Sequence, residues 1–60
     1  MEFYNDFKKF WLPIYKKQYF ILKMQNNIEA IIAIKENIYR NWNLTREEKL
    51  DFIKQIGIKE

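Results

Sequence analysis

The chain has no cysteine, histidine, serine or valine, and only one glycine, one proline and one threonine. Each absence closes off a class of chemistry. Without cysteine there is no disulfide framework and no thiolate nucleophile, and without histidine as well there is no Cys/His zinc site. A single glycine cannot build a phosphate-cradling loop. The serine hydroxyl is missing as a nucleophile, and no side chain has an ordinary pKa near neutrality to act as a general base. The chain is therefore expected not to be an enzyme and to require neither cofactor nor metal. Glu47, Glu48 and Asp51 are close in sequence, but they fall in the first turns of an expected helix, where acids favour the positive helix end whether or not a metal is near.

What the chain has is aromatic and basic character. Eleven of its 60 residues are Phe, Tyr or Trp, and 48% are hydrophobic. A domain of this size buries only about 60% of the surface its unfolded chain exposes. Ordering it costs roughly 1.5 kcal/mol per residue, which apolar burial must match without a covalent staple. Eleven large rings are hard to hide in so few layers, and exposed aromatic patches mark interfaces. Self-association, or docking on a larger protein, is expected.

Helical spacing dominates the pattern. Steps of four and three residues from Phe3 meet Phe7, Phe10, Ile14, Lys17, Ile21, Met24, Ile28, Ile31, Lys35, Ile38 and Trp42, an apolar seam interrupted only by its two lysines. No segment sustains the alternation of a strand. The expected fold is all-α: a small two- or three-helix hairpin or bundle forming one domain over 1–60. It comprises a Pro-interrupted N-terminal helix (3–12 and 14–25), a central amphipathic helix (28–41) and a short capped C-terminal helix (46–56). Pro13 removes a backbone hydrogen bond and clashes with the preceding turn. Asn26-Asn27 offers a turn with Asn27 as cap, although the seam crosses it unbroken, so one long helix is the competing reading.

In the central helix, Ile28, Ile31, Ile32, Ile38, Tyr39 and Trp42 share an arc of about 120° and are expected to face the core. The C-terminal helix has its limits written out. Thr45 and Glu48 form a capping box, and Gly57 follows as a left-handed stop with Ile58 placed to pack on Ile53. Leu50, Ile53 and Ile56 are its expected buried stripe. Leu44 precedes the cap, where it can pack only weakly on the stem of Lys49 and leaves the hydrophobic staple incomplete.

Net charge is +3, and all of the excess lies in the first 25 residues. There Phe7-Lys8-Lys9-Phe10-Trp11 is echoed by Tyr15-Lys16-Lys17-Gln18-Tyr19. On one straight helix Lys8, Lys9, Lys16 and Lys23 share an arc opposite Phe3, Phe7, Phe10, Trp11, Ile14 and Tyr15. The plainest interpretation is a solvated lysine face over an aromatic core. A phosphate- or acid-binding face and a membrane-surface helix are the alternatives. Tyr19 and Phe20 point toward the lysine side of a straight helix, which implies either a phase reset at Pro13 or rings facing a partner. Lys17 and Lys35 interrupt the seam, as edge residues or as setters of register in an oligomer. Residues 28–56 have the length of a helix-turn-helix, but the acids early in the third helix are ill suited to a phosphate-lined groove.

The start lacks the apolar core of a signal peptide and no apolar run reaches transmembrane length, so the chain is expected in the cytoplasm. Asn43-Leu44-Thr45 is then an idle glycosylation sequon. The abundance of Ile, Lys and Asn indicates an AT-rich genome.

The leading functional expectation is a non-catalytic protein-binding domain, of the kind phages and mobile elements use to inhibit or modulate a host protein, including a defence enzyme. Its interface is expected at Phe3, Phe7, Phe10, Trp11, Tyr15, Tyr19 and Phe20, with Trp11 as the anchor and Trp42 locked in a helix seam. The alternatives are a nucleic-acid-binding regulator using Lys8, Lys9, Lys16, Lys17 and Lys23, and a structural subunit of a larger assembly.

Overall fold

A computed structural model describes residues 2–58, with Glu2 described by its backbone alone. Among these residues there are three helices and no strands: α1 (Glu2–Met24), α2 (Ile28–Tyr39) and α3 (Arg46–Ile56). Each helix touches the other two, giving the small all-α bundle expected from the pattern.

α1 is one continuous helix with Pro13 inside it. At 1.5 Å per residue its 23 residues extend about 34 Å, the full 34 Å length of the molecule. The break expected at Pro13 does not form, and the reason lies across the bundle. Phe7 and Tyr15, one on each side of the proline, both set their rings edge-on to Phe52, with centroids 5.2 and 5.4 Å away. Both halves of α1 are thus tied to one ring, which offsets the lost backbone bond.

The turn at Asn26-Asn27 is present. Asn26 is left-handed at φ 58°. Its N–H donates to the Lys23 carbonyl at 3.1 Å, and that of Asn27 to the Leu22 carbonyl at 2.9 Å, the paired bonds of a Schellman stop. The Asn27 side chain then accepts from the Ala30 N–H at 3.2 Å and starts α2. α2 ends at Tyr39, two residues short of the expected limit, and Lys49 on α3 donates to the Tyr39 carbonyl at 2.8 Å. The following loop is shaped by the Asn41 side chain, which accepts from the Asn43 N–H at 3.0 Å.

α3 follows its sequence signals closely. Thr45 Oγ1 accepts from the Glu48 N–H at 3.1 Å, and Glu48 Oε1 accepts from the Thr45 N–H at 2.9 Å, closing the capping box. Gly57 is left-handed at φ 103°, and Ile58 N–H donates to the Ile53 carbonyl at 3.3 Å. Ile58 and Ile53 are both buried.

The core comprises Tyr4, Ile34, Ile38, Leu44, Phe52, Ile53, Ile56 and Ile58. Its centre is Phe52, which the expected stripe Leu50, Ile53, Ile56 omits; Leu50 is exposed instead. Leu44 is buried in the same cluster rather than lying against the Lys49 stem. On α2 the buried line is Ile34 and Ile38, with Ile31 half-buried, while Ile28, Ile32 and Tyr39 are exposed. Trp42 lies beyond the end of α2 in the loop, so it cannot share the helix stripe. No helix among the described residues is long and apolar enough to cross a membrane.

Candidate docking face on the first helix

The largest departure from the sequence pattern is on α1. Its core-facing side carries Tyr4, Phe7, Leu12, Tyr15, Tyr19 and Leu22. Phe3, Phe10, Ile14, Phe20, Ile21 and Met24 are exposed, Phe10 by 64% and Met24 by 75%. The four-three seam of α1 is therefore largely its outer face, and the core lies about a third of a turn away from it. Pro13 resets nothing. Tyr19 turns inward because the core is on that side of the continuous helix, and Phe20, its neighbour, points out.

The expected interface residues thus divide in two. Phe3, Phe10, Trp11 and Phe20 are exposed, whereas Phe7, Tyr15 and Tyr19 are half-buried against the core. The two sets are joined by a ladder of rings along α1. Phe3 to Phe7 is 6.0 Å, Phe7 to Trp11 6.4 Å and Trp11 to Tyr15 6.2 Å between centroids. Phe10 sets its edge on Trp11 at 5.0 Å and 82°. Exposed rings are thereby braced against rings that are themselves fixed on Phe52, which lowers the ordering cost of docking.

The relative burial of the tryptophans reverses the expectation. Trp42 is 86% exposed and Trp11 40%, with three ring neighbours on its own helix. No sequence signal beyond the loop chemistry of Asn41 marks Trp42 as an exposed ring. An open apolar groove of about 250 Å³ also escapes a sequence reading. It lies between α1 and α2, lined by Gln18, Ile21, Leu22, Ala30, Ala33 and Ile34, and the two alanines leave the space.

Two of the five lysines lie over rings of their own helix. Lys8 places its ammonium 5.1 Å from the Tyr4 ring centroid, and Lys23 lies 5.9 Å from that of Tyr19. Both are attracted to ring faces one turn away on their own helix. Lys9, Lys16 and Lys17 are exposed. Lys9, Lys16 and Lys23 recur every seven residues and form a row beside the apolar face, not across it.

Asp51 and Glu48 both make hydrogen bonds within the fold. Asp51 Oδ2 accepts from the Tyr4 hydroxyl at 2.6 Å and from Gln55 Nε2 at 3.0 Å. Burial, the hydrogen bond to Asp51 and the nearby charges of Asp51 and Glu48 all push the Tyr4 hydroxyl far above its ordinary range, so it remains a donor. Among the described residues no three acidic or other ligating side chains converge as a metal site.

No protein-family profile, characterised protein or solved structure matches the chain. The residues themselves carry the functional reading.

Proposed function

We propose that the chain is a non-catalytic protein-binding domain that docks through the outer face of α1. The observation that carries this is the exposure of Phe3, Phe10, Ile14, Phe20, Ile21 and Met24 on a helix whose other side already supplies the core. Six large apolar side chains on one braced helix form the kind of patch that a partner covers. A domain of this kind acts by occupying surface: it blocks or modulates the protein it meets, and a host protein bound by a phage or mobile-element product is one such case. The row of Lys9, Lys16 and Lys23 at the rim suits steering toward an acidic surface more than it suits the seat of the interface.

A photo-crosslinking amino acid placed at Phe10 in the expressing cell tests this, with Asn37, on an exposed part of α2, as the control position. Discrete protein adducts at position 10, absent at 37, are expected. Titration with labelled single- and double-stranded nucleic acid at low and physiological salt provides the opposing arm. Tight, steeply salt-dependent binding that is lost on reversing Lys9, Lys16 and Lys23, with no protein adduct at position 10, would replace this reading with nucleic-acid recognition.

A further inference from the structure

We infer that the occupant of this face is a second copy of the chain, its α1 antiparallel to the first about a two-fold axis level with Leu12. The inference rests on reading the outer face of α1 as a docking surface and goes on to name its partner. Three features of that face fit an antiparallel copy of itself.

The first is register. The stripe positions 3, 7, 10, 14, 17 and 21 are symmetric about residue 12. An antiparallel pair therefore sets the exposed Phe3 level with Ile21 and Phe10 with Ile14, each pairing occurring twice. That is the self-complementary arrangement a two-fold interface requires.

The second is charge. Lys17 is the one charged side chain within the stripe, and it is exposed. In the antiparallel pair its stem comes level with Phe7 of the second copy, one residue from Asp6, which is also exposed. The ammonium then meets a carboxylate. A parallel pair would set Lys17 against Lys17, a repulsion in a partly desolvated seam.

The third is shape. The groove lined by Ile21, Leu22, Ala30, Ala33 and Ile34 lies toward the C-terminal end of α1, and the exposed Phe3 ring lies at the N-terminal end. Antiparallel pairing carries Phe3 of each copy to Ile21 at the edge of the other's groove, a space of about 250 Å³ where two alanines make room for a ring. Lys9, Lys16 and Lys23 remain at the rim, so raising salt is expected to leave the dimer intact or tighten it.

Sedimentation velocity from low micromolar to near-millimolar protein tests the dimer, with circular dichroism confirming that each variant is folded. Phe10→Glu and Ile14→Glu are each expected to weaken dimerisation by about 30-fold or more while leaving helicity unchanged. Asp6→Lys and Lys17→Asp should each weaken it, and the double variant should restore it. The chain has no cysteine, so orientation can be read by disulfide trapping. A mixture of the Phe3→Cys and Ile21→Cys proteins should cross-link to each other in preference to themselves. A monomer at every concentration overturns the inference, as do same-site disulfides or a dimer indifferent to both glutamate variants. A monomer that still gives adducts with another protein at position 10 overturns the self-pairing alone and leaves the docking face standing.

Discussion

α3 and α1 are built on different terms. α3 has 11 residues, begins at a closed capping box, ends at a left-handed glycine and buries Phe52, Ile53 and Ile56. α1 has 23 residues, carries a proline in its interior and turns a long row of apolar side chains outward. The short helix is specified by its own ends and consumed by the core. The long one is held by rings on its neighbour and leaves a second apolar face exposed. Core contacts run along α1 from Tyr4 to Leu22, and the same length of helix leaves six large apolar side chains uncovered on its other side.

The sharpest way to test this contrast is to remove a ring from each helix. Phe52 is 0% exposed, and Phe52→Ala should cost about 3–5 kcal/mol. That is most of the roughly 3–9 kcal/mol available to a chain of this size. Phe10→Ala, measured by urea denaturation under monomeric conditions, should stay within about 0.5 kcal/mol of wild type. Equal losses would erase the distinction between the two helices. The next largest effect is a gain. Pro13→Ala restores a donor to the Lys9 carbonyl and should raise stability by about 1–3 kcal/mol. A loss instead would mean that the proline relieves strain that the Phe52 clamp would otherwise impose.

Smaller effects sharpen the account of α3. Thr45→Ala should cost about 1 kcal/mol through the open capping box. Gly57→Ala should cost a similar amount, from its φ of 103° alone, since a Cβ there would sit 3.7 Å from Tyr19 Cε2, an ordinary contact. The two sites lie at opposite ends of α3, so thermal denaturation of the double variant should show additive losses. Smallest near neutral pH is Tyr4→Phe, which gives up one hydrogen bond worth about 1 kcal/mol. Its signature is in alkali. The folded protein raises the Tyr4 pKa above its ordinary value of 10.0. The associated stability is therefore complete below about pH 10 and lost as the pH climbs beyond it, because the unfolded state releases its proton first. Tyr4→Phe should flatten that alkaline decline in a series of melts.

The legible parts of the fold were those with a chemical marker at a fixed offset. Thr45 with Glu48, Gly57 with Ile58, and Asn26-Asn27 each define a backbone bond pattern within a few residues, and all three appear in the structure. What escaped was the rotational setting of each helix. Apolar residues occupy more than half of the circumference of α1 and α2, so spacing alone supports two stripes. On α2 the line Ile31, Ile34, Ile38 fits a helix as well as the arc expected from the pattern. Stepping by threes from Leu50 falls about 60° short of a turn each time, so that stripe starts far round the helix from Phe52 and closes on it only at Ile56. Of the expected interface rings, Phe3, Phe10, Trp11 and Phe20 are exposed while Phe7, Tyr15 and Tyr19 pack on the core, because a ring at one of two possible stripes carries no sign of which stripe will be covered.

The hydrogen bond from Tyr4 to Asp51 joins residues 47 positions apart, and this bears on the order in which the chain assembles. Contacts of that span close the largest loop in the molecule and gain little until the intervening segments are in place. The back half of α1 meets α2 across the short Asn26-Asn27 turn, and α3 forms at its own capping box, so both can organise early from local contacts. Docking of residues 2–12 onto α3 is then the late event. The clasp is then a latch ahead of the Phe7 contact with Phe52: the first turn of α1, with Phe3 on it, is expected to expose its amides to hydrogen exchange before the Phe52 core lets go.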